Sequence, residues 1–118
     1  MTKHSIGMQG QAAAKQFLTK KGYEVINENY RLRSSEIDII AKDGDYIVFV
    51  EVKFRKGLLH GLPRESVGRA KQKKIIKAAM HYISVTEKTE QDYRFDVVEI
   101  LENDGKLFAN HIENAFGI

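Results

Sequence analysis

Residues 36–53 read Glu36-Ile-Asp-Ile-Ile-Ala-Lys-Asp-Gly-Asp-Tyr-Ile-Val-Phe-Val-Glu-Val-Lys53. Two apolar, β-branched runs flank Asp43-Gly44, the signature of a β-hairpin closed by a two-residue type I′ turn. Four charged side chains sit inside those runs: Glu36, Asp38, Glu51 and Lys53. With Asp43-Gly44 as the loop, Ala41 falls opposite Tyr46, Asp38 opposite Phe49 and Glu36 opposite Glu51. Opposed residues share a face, as do i and i+2, so all four charges project from one face. Asp38 and Glu51 are then diagonal neighbours, about 7–8 Å apart at the backbone, from where side chains converge. A one-residue slip would separate them, so the turn decides whether there is a site. Ile37, Ile39, Val48, Val50 and Val52 fall on the other face, while Ile40, Ile47 and Phe49 share the charged one. Apolar residues on both faces predict inner strands covered on both sides.

Charges in a buried strand are costly unless something pairs with them, and three carboxylates with one lysine do not balance. The plain alternative is a buried salt-bridge cluster; the surplus of negative charge on one face favours a metal. Two converging carboxylates offer the oxygen ligands that Mg²⁺ or Mn²⁺ takes, and the carbonyl of Val52, between Glu51 and Lys53, adds another. Lys53 shares the face, where an ammonium positions a metal-bound water and offsets charge on a phosphate under attack. Glu36 either joins the site or pairs with Arg31, Arg33 or Arg55.

Outward from the hairpin, Gly10, Ala13, Ala14, Phe17 and Leu18 make one buried stripe, predicting a helix over 7–21 with Gly22 as its left-handed end. Gly10 reads as a close-packing position, and Gln11 lies off the stripe. Residues 23–26 read as a strand, 27–29 as a turn and 30–33 as extended, with Arg31 and Arg33 pointing one way, toward phosphate or simply toward water. Residues 54–65, with Arg55, Lys56, His60, Arg64 and the only proline, Pro63, predict a basic substrate-contacting loop. A second helix is expected over 66–85, capped by Ser66 and packed through Ile75, Ala78, Ala79, Tyr82 and Ile83. Its first half carries Arg69, Lys71, Lys73, Lys74 and Lys77, a stripe suited to a polyanion, with a solvated helix face as the bland reading. A strand at 93–101, a turn at 103–106 and a returning strand at 107–112 make a second hairpin, followed by a tail that packs Phe116. His4, His60, His81 and His111 show no metal-ligand spacing and read as incidental. The order predicts an α/β domain, a central mixed sheet flanked by helices, over residues 1–118.

The composition is that of an ordinary globular domain: 118 residues, 42% hydrophobic, 30% charged, net charge +3. With no cysteine there is neither a disulfide framework nor a thiolate metal site. No run approaches the ~18 apolar residues of a membrane span, and Met1–Ser5 carries no signal-like apolar stretch, so no membrane partner and a cytoplasmic location are expected.

Asp38 followed by Glu51-Val52-Lys53 resembles the core motif of the PD-(D/E)XK nuclease superfamily. Gly10-Gln11 with Ala13-Ala14, Gly22-Tyr23, Asn29-Tyr30-Arg31, Ser35-Glu36-Ile37-Asp38-Ile39-Ile40, Val48-Phe49-Val50-Glu51-Val52-Lys53 with Arg55, Lys71-Gln72 and Asn114-Ala115-Phe116 resemble, more narrowly, the YraN-like family of bacterial proteins. That family is related to archaeal Holliday-junction resolvases. The resemblance implies a three-layer restriction-endonuclease-like fold, metal ligands at Asp38 and Glu51, a catalytic lysine at Lys53 and Mg²⁺-dependent cleavage of DNA, with branched or structured DNA as one candidate substrate, by a homodimer. Relatives usually carry Gly-Glu at Gly10-Gln11 and Gly-Glu-Ile-Asp at Ser35–Asp38, and in the resolvases that first glutamate belongs to the metal site. Gln11 is neutral and a poor Mg²⁺ ligand, which favours a second expectation, a nuclease-fold nucleic-acid-binding protein that has lost cleavage. In both, Arg31, Arg33, Arg55, Lys56, Arg69, Lys71, Lys73, Lys74 and Lys77 are the residues expected to meet phosphates. A protein–protein adaptor is a third expectation.

Overall fold

The computed structural model describes residues 3–56, 67–88 and 90–117. Helix α1 (Lys3–Lys20) leads into strands β1 (Glu24–Arg31), β2 (Glu36–Asp43) and β3 (Tyr46–Lys56), then helix α2 (Arg69–Thr86) and strands β4 (Asp92–Asn103) and β5 (Lys106–Phe116). The strands form one sheet in the order β1-β2-β3-β4-β5, antiparallel throughout except for the parallel pair β3–β4. A parallel pair needs a crossover, and α2 lies within it. The two helices cover opposite faces, which gives three layers and bears out the α/β expectation.

Each layer is built from the expected stripes. Ala14 and Leu18 of α1 pack with Ile39, Ala41, Val48, Val50, Val98 and Ile100. Ile75, Ala78, Ala79, Tyr82 and Ile83 of α2 pack with Ile37, Ile40, Ile47, Phe49 and Phe95. Strand β3 is buried from Ile47 through Glu51 because it feeds both layers. Phe95 stacks on Phe49 at 5.5 Å and on Phe116 at 5.0 Å between ring centroids, so the C-terminal segment packs Phe116 as expected, but as the end of β5 rather than as a tail.

Helix α1 ends as its sequence predicts. Gly22 is left-handed (φ 99°), and the Tyr23 and Gly22 N–H groups donate to the carbonyls of Leu18 and Thr19, the paired bonds of a Schellman ending. Helix α2 ends in the same way on Glu87 (φ 56°), a side chain where glycine is the usual residue. At its other end, α2 starts at Arg69 on Gly68, without a side-chain cap. The expected cap, Ser66, and most of the expected loop lie outside the described residues; Phe54–Lys56, assigned to that loop, instead extend β3.

Three expectations about the hairpins need correction. The β2–β3 loop is Gly44-Asp45, with Asp43 facing Tyr46 and Ala41 facing Val48 instead of Tyr46. Gly44 (φ 58°) takes the first loop position, where a type II′ turn needs glycine, whereas Asp104-Gly105, both at positive φ, close β4–β5 as a type I′ turn does. Asn27–Asn29 is not a turn but part of β1, with Asn29 left-handed (φ 54°). Finally, Ile37 packs with the α2 layer and Ile39 with the α1 layer, so the alternation of faces along β2 breaks at Asp38.

A polar network ties the sheet together where α1 meets β1. Arg94 grips Asp96 with two bonds of 2.9 Å from Nε and Nη2; Nη2 also donates to the Tyr23 hydroxyl at 2.6 Å, and Nη1 reaches Asp43 at 3.2 Å. His111 Nε2 lies 2.7 Å from Asp96, and Lys21 Nζ lies 2.8 Å from His111 Nδ1. An ammonium only donates, so Nδ1 accepts and the ring carries its proton on Nε2, toward Asp96. Burial raises Asp96, but bonds from His111, Arg94 and the Asn114 N–H outweigh it and hold the carboxyl below its usual range. His111, expected to be incidental, is thus a structural residue whose side chain is buried.

Two outcomes check this packing. A Cβ on Gly10 would lie 3.0 Å from Phe54 Cδ2 and 3.2 Å from Phe54 Cβ. Gly10→Val is therefore expected to destabilise the protein by roughly 1–3 kcal/mol in urea unfolding, with a sub-additive cost when combined with Phe54→Ala. Arg94→Met, which leaves Asp96 buried without its cation, is expected to cost about 3–5 kcal/mol by the same measurement.

Candidate metal centre

The break in β2 positions the centre. The ladder with β3 begins at Ile39–Val50, so Glu36–Asp38 run beyond it. Asn29, whose neighbours Glu28 and Tyr30 pair with Ile39 and Ile37, stands across from Asp38. Its left-handed backbone and the reversal of faces from Ile37 to Ile39 leave Asp38 on the seam between the two layers. Asp38 consequently borders two grooves. One, on the α2 side, is lined by Arg31–Glu36, Lys71, Lys74 and Ile75; the other, on the α1 side, includes Met8, Gln11, Lys15, Glu28, Val52 and Phe54.

Glu51 reaches the seam from β3. It is only 4% exposed, and it lies on the α2 side, two residues beyond Phe49 of that layer. The carboxyl group of Glu51 lies beside that of Asp38, close enough for its side chain and its charge to disfavour ionisation of Asp38. Asp38 Oδ2 also accepts the Val52 N–H at 2.9 Å. Burial, then the Glu51 side chain and its charge, push Asp38 up to about 7. Two carboxyls held together without enough positive charge cannot both ionise cheaply.

The cation beside them is not the one expected. Lys71 Nζ, from the first turn of α2, lies 3.1 Å from Glu51 Oε2, and the carboxylates around it, Glu51 foremost, raise its pKa despite partial burial. Lys53 sits on the Glu51 face, half-buried, and makes no ion pair among the described residues; its register partner on β4 is Glu99. Glu99 is fully buried and pairs with Arg55 at 3.0 Å. Glu36 pairs with Arg31 at 3.3 Å, one of the two roles left open for it. Gln11 lines the α1-side groove with Asp38. Lys56, Arg69, Lys73, Lys74 and Lys77 are exposed, as is Arg33 on the groove rim.

The sequence reading missed the Lys71–Glu51 contact, which joins two elements, and Glu99, an acid within an apolar run of β4. Among the described residues one group of three metal-capable side chains comes together, Asp96, His111 and Glu113, with ligand atoms within 4.8 Å of one another. Its atoms are already turned to partners: Arg94, Asn114 N–H and His111 for Asp96, and the Tyr23 hydroxyl, at 2.8 Å, for Glu113. It reads as structure.

The donor set at Asp38 and Glu51 does fit a hard divalent cation: two adjoining carboxyls, with Asp38 pushed up by burial and by its neighbour for want of positive charge. The sign of the pH effect follows. An acid whose pKa is raised by folding contributes stability that is full below its unfolded value, about 4, and is lost as pH rises through about 7. Without divalent ions, Asp38→Asn is therefore expected to match the wild type near pH 4. It should become more stable by on the order of 1–3 kcal/mol at pH 8, read as the difference between their melting curves across pH.

The comparisons with known proteins agree with one another. The model of the "Uncharacterised protein family UPF0102" matches residues 10–100. A UPF0102 protein of Chlorobium limicola is 53% identical over 98 residues, covering 83% of this chain and 76% of its own. One from Symbiobacterium thermophilum is 46% identical over 112 residues, covering 94% and 95%, and one from Caldicellulosiruptor saccharolyticus is 42% identical over 118 residues, covering 98% and 100%. The chain belongs to the UPF0102 family, the family identified above from its motifs as YraN-like.

Proposed function

We propose that the protein is a Mg²⁺- or Mn²⁺-dependent endonuclease acting on DNA, with the PD-(D/E)XK fold and a cytoplasmic role. The observation that carries this is the convergence of the Asp38 carboxyl and the buried Glu51 carboxyl at the edge of a groove whose rim is basic. The order helix, three antiparallel strands, crossover helix and a parallel strand supports the fold assignment. Asp38, Glu51 and the Val52 carbonyl would hold the ion. When bound, it polarises the phosphoryl oxygen and lowers the pKa of a water. Lys53, on the Glu51 face, positions the attacking water and offsets negative charge at the phosphate. Arg33 and Lys74 on the groove rim, with Arg69, Lys73 and Lys77 along α2 and Lys56 at the end of β3, grip the flanking backbone. Branched DNA presents two strands to cut, which a two-fold homodimer would reach together.

A second reading has one observation in its favour. Gln11 lines the same groove as Asp38 as a neutral amide, at the position where the resemblance to the resolvases implies a metal-binding glutamate. In that reading the protein binds DNA without cutting it.

Incubation with linear and branched DNA in Mg²⁺ or Mn²⁺ separates the two. Cleavage is expected from the wild type, reduced by 10²-fold or more in Asp38→Ala and Glu51→Ala and clearly reduced in Lys53→Ala. Absence of cleavage, with salt-sensitive DNA binding that survives Asp38→Ala, would establish the second reading.

A further inference from the structure

We propose that Lys71 is a tethered stand-in for the metal ion: its ammonium neutralises Glu51 when no divalent ion is bound, and the two cations exclude one another. The inference rests on the metal reading above and adds to it a built-in competitor. Glu51 is 4% exposed, so its charge has little help from water, and Lys71 Nζ is 3.1 Å from Oε2. The charges of Asp38 and Glu36 add to the pull of Glu51 on the Lys71 ammonium. A divalent ion coordinated by Glu51 would occupy the same few ångströms, and two positive charges at that separation repel in a partly desolvated site.

The placement of Lys71 does nothing for its own helix. It lies in the first turn of α2, the positive end of the helix dipole, which has no acidic residue and no side-chain cap to offset it. A lysine is disfavoured there unless something outside the helix holds it, and Glu51 does. The helix end and the ammonium together bring positive potential to the buried Glu51 carboxylate.

Metal entry then has a second effect. Lys71 lines the α2-side groove with Lys74 and Arg33. Displaced from Glu51, its ammonium joins them and becomes available to a phosphate in that groove. Lys71 is thus a positioning residue that links occupancy of the metal site to the grip on substrate.

Titration calorimetry with Mn²⁺ alone tests the competition on the full chain. Lys71→Met is expected to bind Mn²⁺ on the order of tenfold more tightly than the wild type. Its melting temperature should be lower without metal and should converge on that of the wild type at saturating Mn²⁺. Lys106→Met, the same charge change on the β4–β5 turn, is expected to leave affinity unchanged. Lys71→Arg, which keeps an ion pair with Glu51, should bind Mn²⁺ like the wild type and shows that the position tolerates substitution. Equal or weaker Mn²⁺ binding by a folded Lys71→Met, with the wild type binding normally, overturns the inference and leaves the metal reading standing. No Mn²⁺ binding by the wild type or any variant overturns the metal reading and the inference with it.

Discussion

The reversal of faces between Ile37 and Ile39 is the constraint on which the site depends. A regular strand would send both residues into one layer and leave Asp38 facing squarely into the other, under α2. Here each isoleucine is claimed by a different layer, and the carboxyl between them is left on the seam. The seam is reached from two grooves, and it lies beside the one segment of β3 where an acid replaces an apolar residue. Holding two carboxyls together costs stability, and the core on both sides of β3 offsets that cost. Local frustration of this kind, surrounded by consistent packing, is the usual physical mark of a functional site.

Electrostatically, the molecule divides its cations into two groups. Arg31, Arg55, Lys71 and Arg94 are each held by a carboxylate, and these pairs sit at or near the sheet. Arg33 and, along the first half of α2, Lys73, Lys74 and Lys77 are exposed. A basic stripe in the sequence therefore mixes counterions for internal acids with charges that face outward, and only the second kind adds to a surface field.

Much of this was legible in the sequence, and the failures have physical causes. The stripes of both helices, the left-handed end at Gly22 and the close packing of Gly10 followed from spacing and residue size. The β2–β3 loop moved because Asp43-Gly44-Asp45 offers glycine to two turn types, the second or the first loop position, and the strands pair better around the latter. The slide is two residues, an even number, so it left the faces of Glu51 and Lys53 unchanged. Asn27–Asn29 has turn composition, but pairing with Ile39 and Ile40 overrides it. The Lys71–Glu51 pair and the Arg94–Asp96–His111 network join residues far apart in the chain, and no local pattern announces them.

The parallel β3–β4 pairing has a consequence for how the protein is assembled. The β1–β2–β3 meander and the β4–β5 hairpin are local structures, each closed by short connections, and the parallel ladder running from Tyr46–Asp92 to Lys56–Glu102 is what unites them. That ladder closes a longer loop, the chain between Lys56 and Asp92, than any pairing within either unit, which makes it the entropically more expensive contact. Asp38 and Glu51 belong to the first unit and Lys71 to the returning segment. The two acids therefore share a local unit, and their cation reaches them only across a longer loop of chain.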